Sequence, residues 1–142
     1  MDLIEQSLQI ALEAYRGQTD KAGETYILHP LRLMAQMDTK EEMAVALLHD
    51  VIEDSKYTAE MLVDEGIPEE VVEAVEYLTK QEGENYEQFT NRVVNNKLAA
   101  KIKKADIEDN MNILRLETVR EKDLQRVAKY HKAWQSIDEA IS

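Results

Sequence analysis

The chain contains no cysteine, which excludes disulfides and thiolate-ligated metal sites and accords with a reducing compartment. Four glycines and two prolines are all that punctuate 142 residues, and the alternating β-branched runs that mark strands are nearly missing. Basic residues are scarce: 17 Lys and Arg stand against 29 Asp and Glu, for a formal net charge of −12. Such a chain repels phosphate polymers at long range, which argues against a nucleic-acid surface. A small anionic ligand is not excluded, because a bound cation and a few local lysines can invert the field inside a cleft. No apolar run is long enough to span a bilayer. The N-terminal stretch MDLIEQSLQIALEAY lacks the basic start and apolar block of a signal peptide. The expected location is therefore the cytoplasm, without a membrane partner.

What the chain does contain is 44% hydrophobic and 32% charged residues, the profile of a folded globular protein. Its length suits one domain over residues 1–142, and apolar residues recur at helical spacing, so the expected fold is all-α. A first amphipathic helix, with Leu3, Leu8, Ala11, Leu12 and Tyr15 on its apolar face, should stop at Gly17. Residues 17–28 read as a loop, and His29-Pro30 opens a second helix. Thr39 followed by Glu42 is a capping-box pattern that should start a third helix running to about Asp54. A short helix over 58–65 ends at Gly66, and Pro68 should sit just inside the next, which runs to about Lys80. Further helices are expected over 86–94, 97–116 and 121–141, making about eight in all and no sheet.

Of the three histidines, His49 keeps the most suggestive company. Asp50, Glu53 and Asp54 follow it, and on a continuous helix 49 lies above 53 and 50 above 54. The rest of that helix is Met43, Ala44, Leu47, Leu48, Val51 and Ile52, dense enough to imply burial. Three carboxylates near one another in a buried setting are costly unless a cation neutralises them. A solvated acidic stripe is the plain alternative. His131, beside Tyr130 and Trp134, reads as a packing or surface residue.

From Ala14 the chain runs AYRGQTDKAGETYILHP, later ALLHDVIEDS, and later KKADIEDNM. In this order the blocks resemble the HD-domain hydrolases of the RelA/SpoT family, specifically their small stand-alone type, over roughly residues 8–116. The resemblance implies an all-α HD-domain helical bundle holding one divalent ion, usually manganese, through His29, His49, Asp50 and Asp106. Imidazole and carboxylate ligands also suit iron, cobalt or zinc. It further implies that Glu53 and Asp54 orient and deprotonate an attacking water, although either acid could instead orient a ligand histidine. Lys21, Tyr86, Arg92, Lys103 and Asn110 match family positions near the substrate. For Lys103 a solvated helix face is the alternative.

The implied activity is hydrolysis of a small nucleotide, foremost removal of the 3′-diphosphate of (p)ppGpp. Removal of the NADPH 2′-phosphate, hydrolysis of a deoxynucleoside 5′-monophosphate, and non-catalytic nucleotide or metal sensing are the rivals. The synthetase half of the long family members is not among these residues, so alarmone synthesis is not expected. Three departures bear on the substrate. Asp20 stands where an arginine usually packs on guanine, and Asn112 and Ile113 replace the usual Arg and Thr. An acid cannot stand in for a planar cation in stacking. Position 15, commonly histidine, is Tyr.

Overall fold

The computed structural model describes residues 2–142. Among them are nine α-helices: α1 (Leu3–Ala14), α2 (Leu28–Ala35), α3 (Lys40–Leu48), α4 (Val51–Asp54), α5 (Ala59–Asp64), α6 (Glu69–Tyr77), α7 (Tyr86–Val93), α8 (Lys97–Asn110) and α9 (Glu121–Ile141). A short 3-10 turn, Ile113–Arg115, lies between the last two. Extended pairing among the described residues is limited to one isolated antiparallel bridge, Thr19 to Thr25. The expected all-α architecture is the one observed.

The centre of the bundle is α3. Its residues Ala44, Val45, Ala46, Leu47 and Leu48 are all fully buried, and α1, α2, α6 and α8 pack around it. A helix apolar on every side is stable only when surrounded in this way. Its start follows the expected capping box: the Thr39 hydroxyl accepts from the Glu42 N–H at 3.1 Å, and Glu42 Oε1 accepts from the Thr39 N–H at 3.3 Å. The same device opens α1 at Asp2 with Glu5 and α7 at Asn85 with Gln88. Gly17 and Gly66 follow α1 and α5 with φ of 78° and 90°, a conformation that other residues adopt only at a cost.

Three expected helices have shifted bounds. Pro68 is the residue before α6 rather than its first member, and α6 ends at Tyr77. The helix expected over 97–116 stops at Asn110, where Asn112 turns the chain by accepting from the Leu114 N–H. Most consequentially, the third helix does not run unbroken to Asp54. It ends at Leu48, and α4 begins anew at Val51. Asp50 has φ −106° and ψ 6°, and its N–H is taken by the Tyr15 hydroxyl at 3.1 Å. The break falls on the His-Asp pair, whose side chains are directed by loop-like geometry rather than by a regular helical face.

The apolar interior forms two clusters. The larger gathers residues of α1–α8, including Ile10, Leu33, Leu48, Leu62, Val71, Val93 and Ile102. The smaller, Ala100, Ile107, Ala133 and Ile137, joins α9 to the outer side of α8.

Candidate metal centre and cleft

Four elements converge at one end of α3. From α2 comes His29, from the α3–α4 break His49 and Asp50, and from α8 Asp106. Both histidines and Asp106 are buried, at 4%, 2% and 7% exposure. The His49 ring is oriented by its neighbour: Nδ1 lies 2.7 Å from the Ala46 carbonyl oxygen. A carbonyl only accepts, so Nδ1 carries the proton and Nε2 is left with its lone pair. That buried Nε2 has no hydrogen-bond partner, yet it lies 3.1 Å from Asp50 Oδ2 and 3.4 Å from Asp106 Oδ1. His29 Nε2 approaches the same Asp106 oxygen at 2.7 Å.

Lone pairs of two imidazoles and two carboxylates thus face one another in a buried space. The arrangement demands positive charge, supplied by added protons or by a cation. The proton affinities say the same. Burial disfavours charge on His29 and His49, but the carboxylates of Asp106, Asp50 and Asp109 outweigh it and raise both rings above the ordinary histidine value. Burial likewise opposes ionisation of Asp106, but Lys103 and the two histidines hold it well below the carboxylate range. Ligand atoms of His29, His49 and Asp50 lie within 4.8 Å of one another, as do those of Asp50, Glu53 and Asp54. An orphaned buried nitrogen among carboxylates, with no sulfur in the donor set, fits a divalent ion of the borderline or hard type.

Surrounding groups fix these side chains. Tyr26, which packs edge-on against Tyr15 at 4.9 Å, donates its hydroxyl proton to Asp50. Lys103 Nζ lies 3.0 Å from Asp106 Oδ2 and over the rings of Tyr86 and Phe89, and Asn110 Nδ2 donates to Asp106 Oδ1 at 3.2 Å. Asp109, one helical turn beyond Asp106, accepts from His29 on the other side of the imidazole ring.

The centre opens into a cleft of about 660 Å³. Glu53 and Asp54 stand on its wall, both exposed. The Lys80 N–H donates to Glu53 Oε1 at 2.8 Å. Partial burial, followed by the charges of Asp50 and Glu53, pushes Asp54 up to about 6. The opposite wall is cationic. Lys21 from the 17–27 loop faces Arg126 and Lys129 of α9, and its ammonium is lowered by partial burial and then by repulsion from those two. Asp20 also lines the cleft, with one carboxylate oxygen turned to the backbone of its loop. Its Oδ1 accepts from the N–H groups of Ala22 and Glu24 at 2.9 and 3.0 Å, closing its own loop.

Of the residues singled out in the sequence, His29, Asp50, Asp106, Glu53, Asp54, Lys21, Tyr86, Lys103 and Asn110 line this one cleft, with His49 buried directly beneath. Arg92 is not brought there. Its guanidinium pairs with Glu84, at 2.7 and 3.0 Å, and donates to the carbonyls of Tyr77 and Thr79. It therefore seals the end of α6 instead of facing a ligand. Sequence reasoning missed Asp109, Arg32, Arg115 and Tyr26, and also the contribution of α9. One signal was available: 29 with 32, and 106 with 109, share helical faces. His131 is exposed, as expected.

No family model matches the chain. It is 34% identical over 129 residues to a guanosine-3′,5′-bis(diphosphate) 3′-pyrophosphohydrolase of Vibrio cholerae, covering 80% of this chain and 18% of that protein. It is 36% identical over 134 residues to the enzyme of the same name from Haemophilus influenzae, covering 84% and 20%. The chain thus spans about a fifth of the length of these curated relatives. Among solved structures, a metazoan ortholog of SpoT that hydrolyzes ppGpp superposes with a TM-score of 0.71 at 21% identity, covering 99% of this chain and 94% of that one.

Proposed function

We propose, from this kinship with the SpoT-type pyrophosphohydrolases, that the chain is a metal-dependent HD-type phosphohydrolase removing the 3′-diphosphate of (p)ppGpp or a close relative. The observation that carries the reading is the orphaned His49 Nε2, buried and aimed with His29 at the carboxylates of Asp50 and Asp106. These four residues would hold one divalent ion, with manganese as the first candidate. When bound, the ion acidifies water and neutralises charge on phosphoryl oxygens.

The chain's own residues supply the rest. Asp54, with its raised proton affinity, stands at the cleft wall as the acceptor for the proton of an attacking water. Glu53, tethered to the Lys80 N–H, shares that wall and directs the water. Lys103 neutralises Asp106, and Asn110 steadies the same carboxylate. Lys21 offers a cation for a second phosphate, and Tyr86 forms part of the floor. Residues 1–142 act as one such domain. Its location in the cytoplasm fits the finding that no described helix is long and apolar enough to cross a membrane.

The test is product release from a nucleotide panel in the presence of manganese. Pyrophosphate from guanosine 3′-diphosphate 5′-diphosphate, abolished by chelation, is the expected result. Orthophosphate alone, from NADPH or a 5′-monophosphate, would overturn the substrate assignment and keep the hydrolase. A metal-loaded protein inert on the whole panel would overturn the enzymatic reading in favour of a sensor.

A further inference from the structure

We infer that Asp109 is a positioning residue of this centre: its carboxylate holds His29 with Nδ1 protonated and so presents Nε2, lone pair outward, to the divalent ion. The inference rests on the metal-centre reading above and deepens it. His29 Nδ1 lies 2.6 Å from Asp109 Oδ2, while Nε2, across the ring, faces Asp106. Asp109 therefore approaches the ring from the side away from the ligand cluster. Its role is to orient a ligand, not to join the set.

The carboxylate is built for that task. A carboxylate offers about four lone-pair sites, and all are taken. Oδ2 accepts from His29 Nδ1 and from Arg32 Nη2 at 2.9 Å; Oδ1 accepts from Arg32 Nε and Arg115 Nη2, both at 2.9 Å. Arg115 also donates to the Asp109 carbonyl at 2.9 Å. With every site filled the carboxylate has no alternative rotamer of equal energy. Burial works against its ionisation, but His29 and the two arginines keep it charged. The two candidate imidazoles are thus oriented differently. His49 leans on a neutral backbone carbonyl, whereas His29 leans on an anion, which strengthens it as a donor toward a metal.

A purely structural reading competes: the Arg32–Asp109–Arg115 group also ties α2 to α8 and to the turn that follows. Two variants separate the readings. Asp109→Asn keeps size and removes the anion. Arg115→Gln removes one structural tether and leaves the His29–Asp109–Arg32 contacts in place. Manganese affinity, by titration calorimetry on the metal-free protein, should weaken about 10- to 100-fold in Asp109→Asn and by clearly less in Arg115→Gln, which loosens the carboxylate but keeps the anion, its bond to His29 and its two bonds from Arg32. In the zinc-loaded protein, the His29 Nδ1 proton should resonate far downfield and exchange slowly by nitrogen-15 NMR, and lose both traits in Asp109→Asn. Unchanged manganese affinity or an unchanged proton signal in that variant would overturn the inference. So would equal weakening in Arg115→Gln, which would assign the effect to the ion pairs. A wild-type protein that takes up neither manganese nor zinc would bring down the metal centre itself, and this inference with it.

Discussion

Glu53 and Asp54 carry the chemistry proposed here, yet neither is buried among the ligand candidates. Replacing both, as Glu53→Gln with Asp54→Asn, should therefore abolish turnover while leaving bound metal near wild-type stoichiometry, measured by elemental analysis. Parallel loss of metal would move the pair into the ligand set. Away from the cleft, the Glu84–Arg92 pair makes a pH prediction. Its hydrogen bonds to Arg92 hold Glu84 down at about 2, against an ordinary value of 4.5. A carboxyl depressed by folding contributes stability that is present above its unfolded pKa and is lost as pH falls through its folded one. Glu84→Gln should be less stable than wild type at neutral pH, and the gap should close between about 4.5 and about 2 in denaturant melts. Arg92 also shows where reading single residues fails. Its place in the sequence suggested the pocket, but a guanidinium with two carbonyls and a carboxylate within reach is satisfied locally. Asp109 is the converse. Its importance lies in contacts with residues some 77 to 80 positions away, and the local pattern says only that it shares a helical face with Asp106.

At the scale of elements, α3 was the most legible. Thr39 and Glu42 announce its start in side-chain chemistry alone, and the five consecutive buried residues from Ala44 announce its place. Thr39→Ala should cost about 1 kcal/mol, measured by urea unfolding, with no change in metal affinity because the cap lies at the far end of the helix. The end of α3 was not legible. Residues 49–54 satisfy helical spacing, and only the hydroxyl of Tyr15, brought by α1, diverts the Asp50 N–H. Tertiary contacts overrode local preference at the His-Asp pair, where the break turns an imidazole and a carboxylate toward α8. Likewise α8 stops short of its apolar pattern because Asn112 bonds forward along its own chain, a turn signal outweighed by the neighbouring leucines and isoleucine. The grouping of the four candidate ligands was readable from three sequence blocks, whereas the cationic wall on α9 was not. That helix lies outside those blocks, and its Lys and Arg look like any solvated face until the fold sets them opposite Lys21.

For the molecule as a whole, gathering two buried histidines, the buried Asp106 and the half-buried Asp50 is a cost that a bound cation would offset. Anything that binds the folded chain alone stabilises it by mass action, about 2.7 kcal/mol at a free concentration one hundred times Kd. Chelation should therefore lower the Tm of the wild-type protein, and Asp106→Ala should melt at a temperature indifferent to chelator, by scanning calorimetry with and without manganese. An equal response of both proteins would place the stabilising metal elsewhere.

The division of the interior into two clusters reaches further. The ligand candidates and the two acids stand on elements rooted in the larger cluster, while Arg126, Lys129 and Tyr130 ride on α9, whose buried apolar residues Ala133 and Ile137 belong to the smaller one. The main link is α8, with Ile102 and Ala105 in one cluster and Ala100 and Ile107 in the other, and Tyr86 of α7 packs against both. The ligand candidates and the cationic wall are thus mounted on separate frames joined chiefly by one beam. For a hydrolase of the kind proposed, sequence drift along α9 changes what the cleft takes hold of while the ligand candidates and the two acids stay in register, a ready route to a new diet.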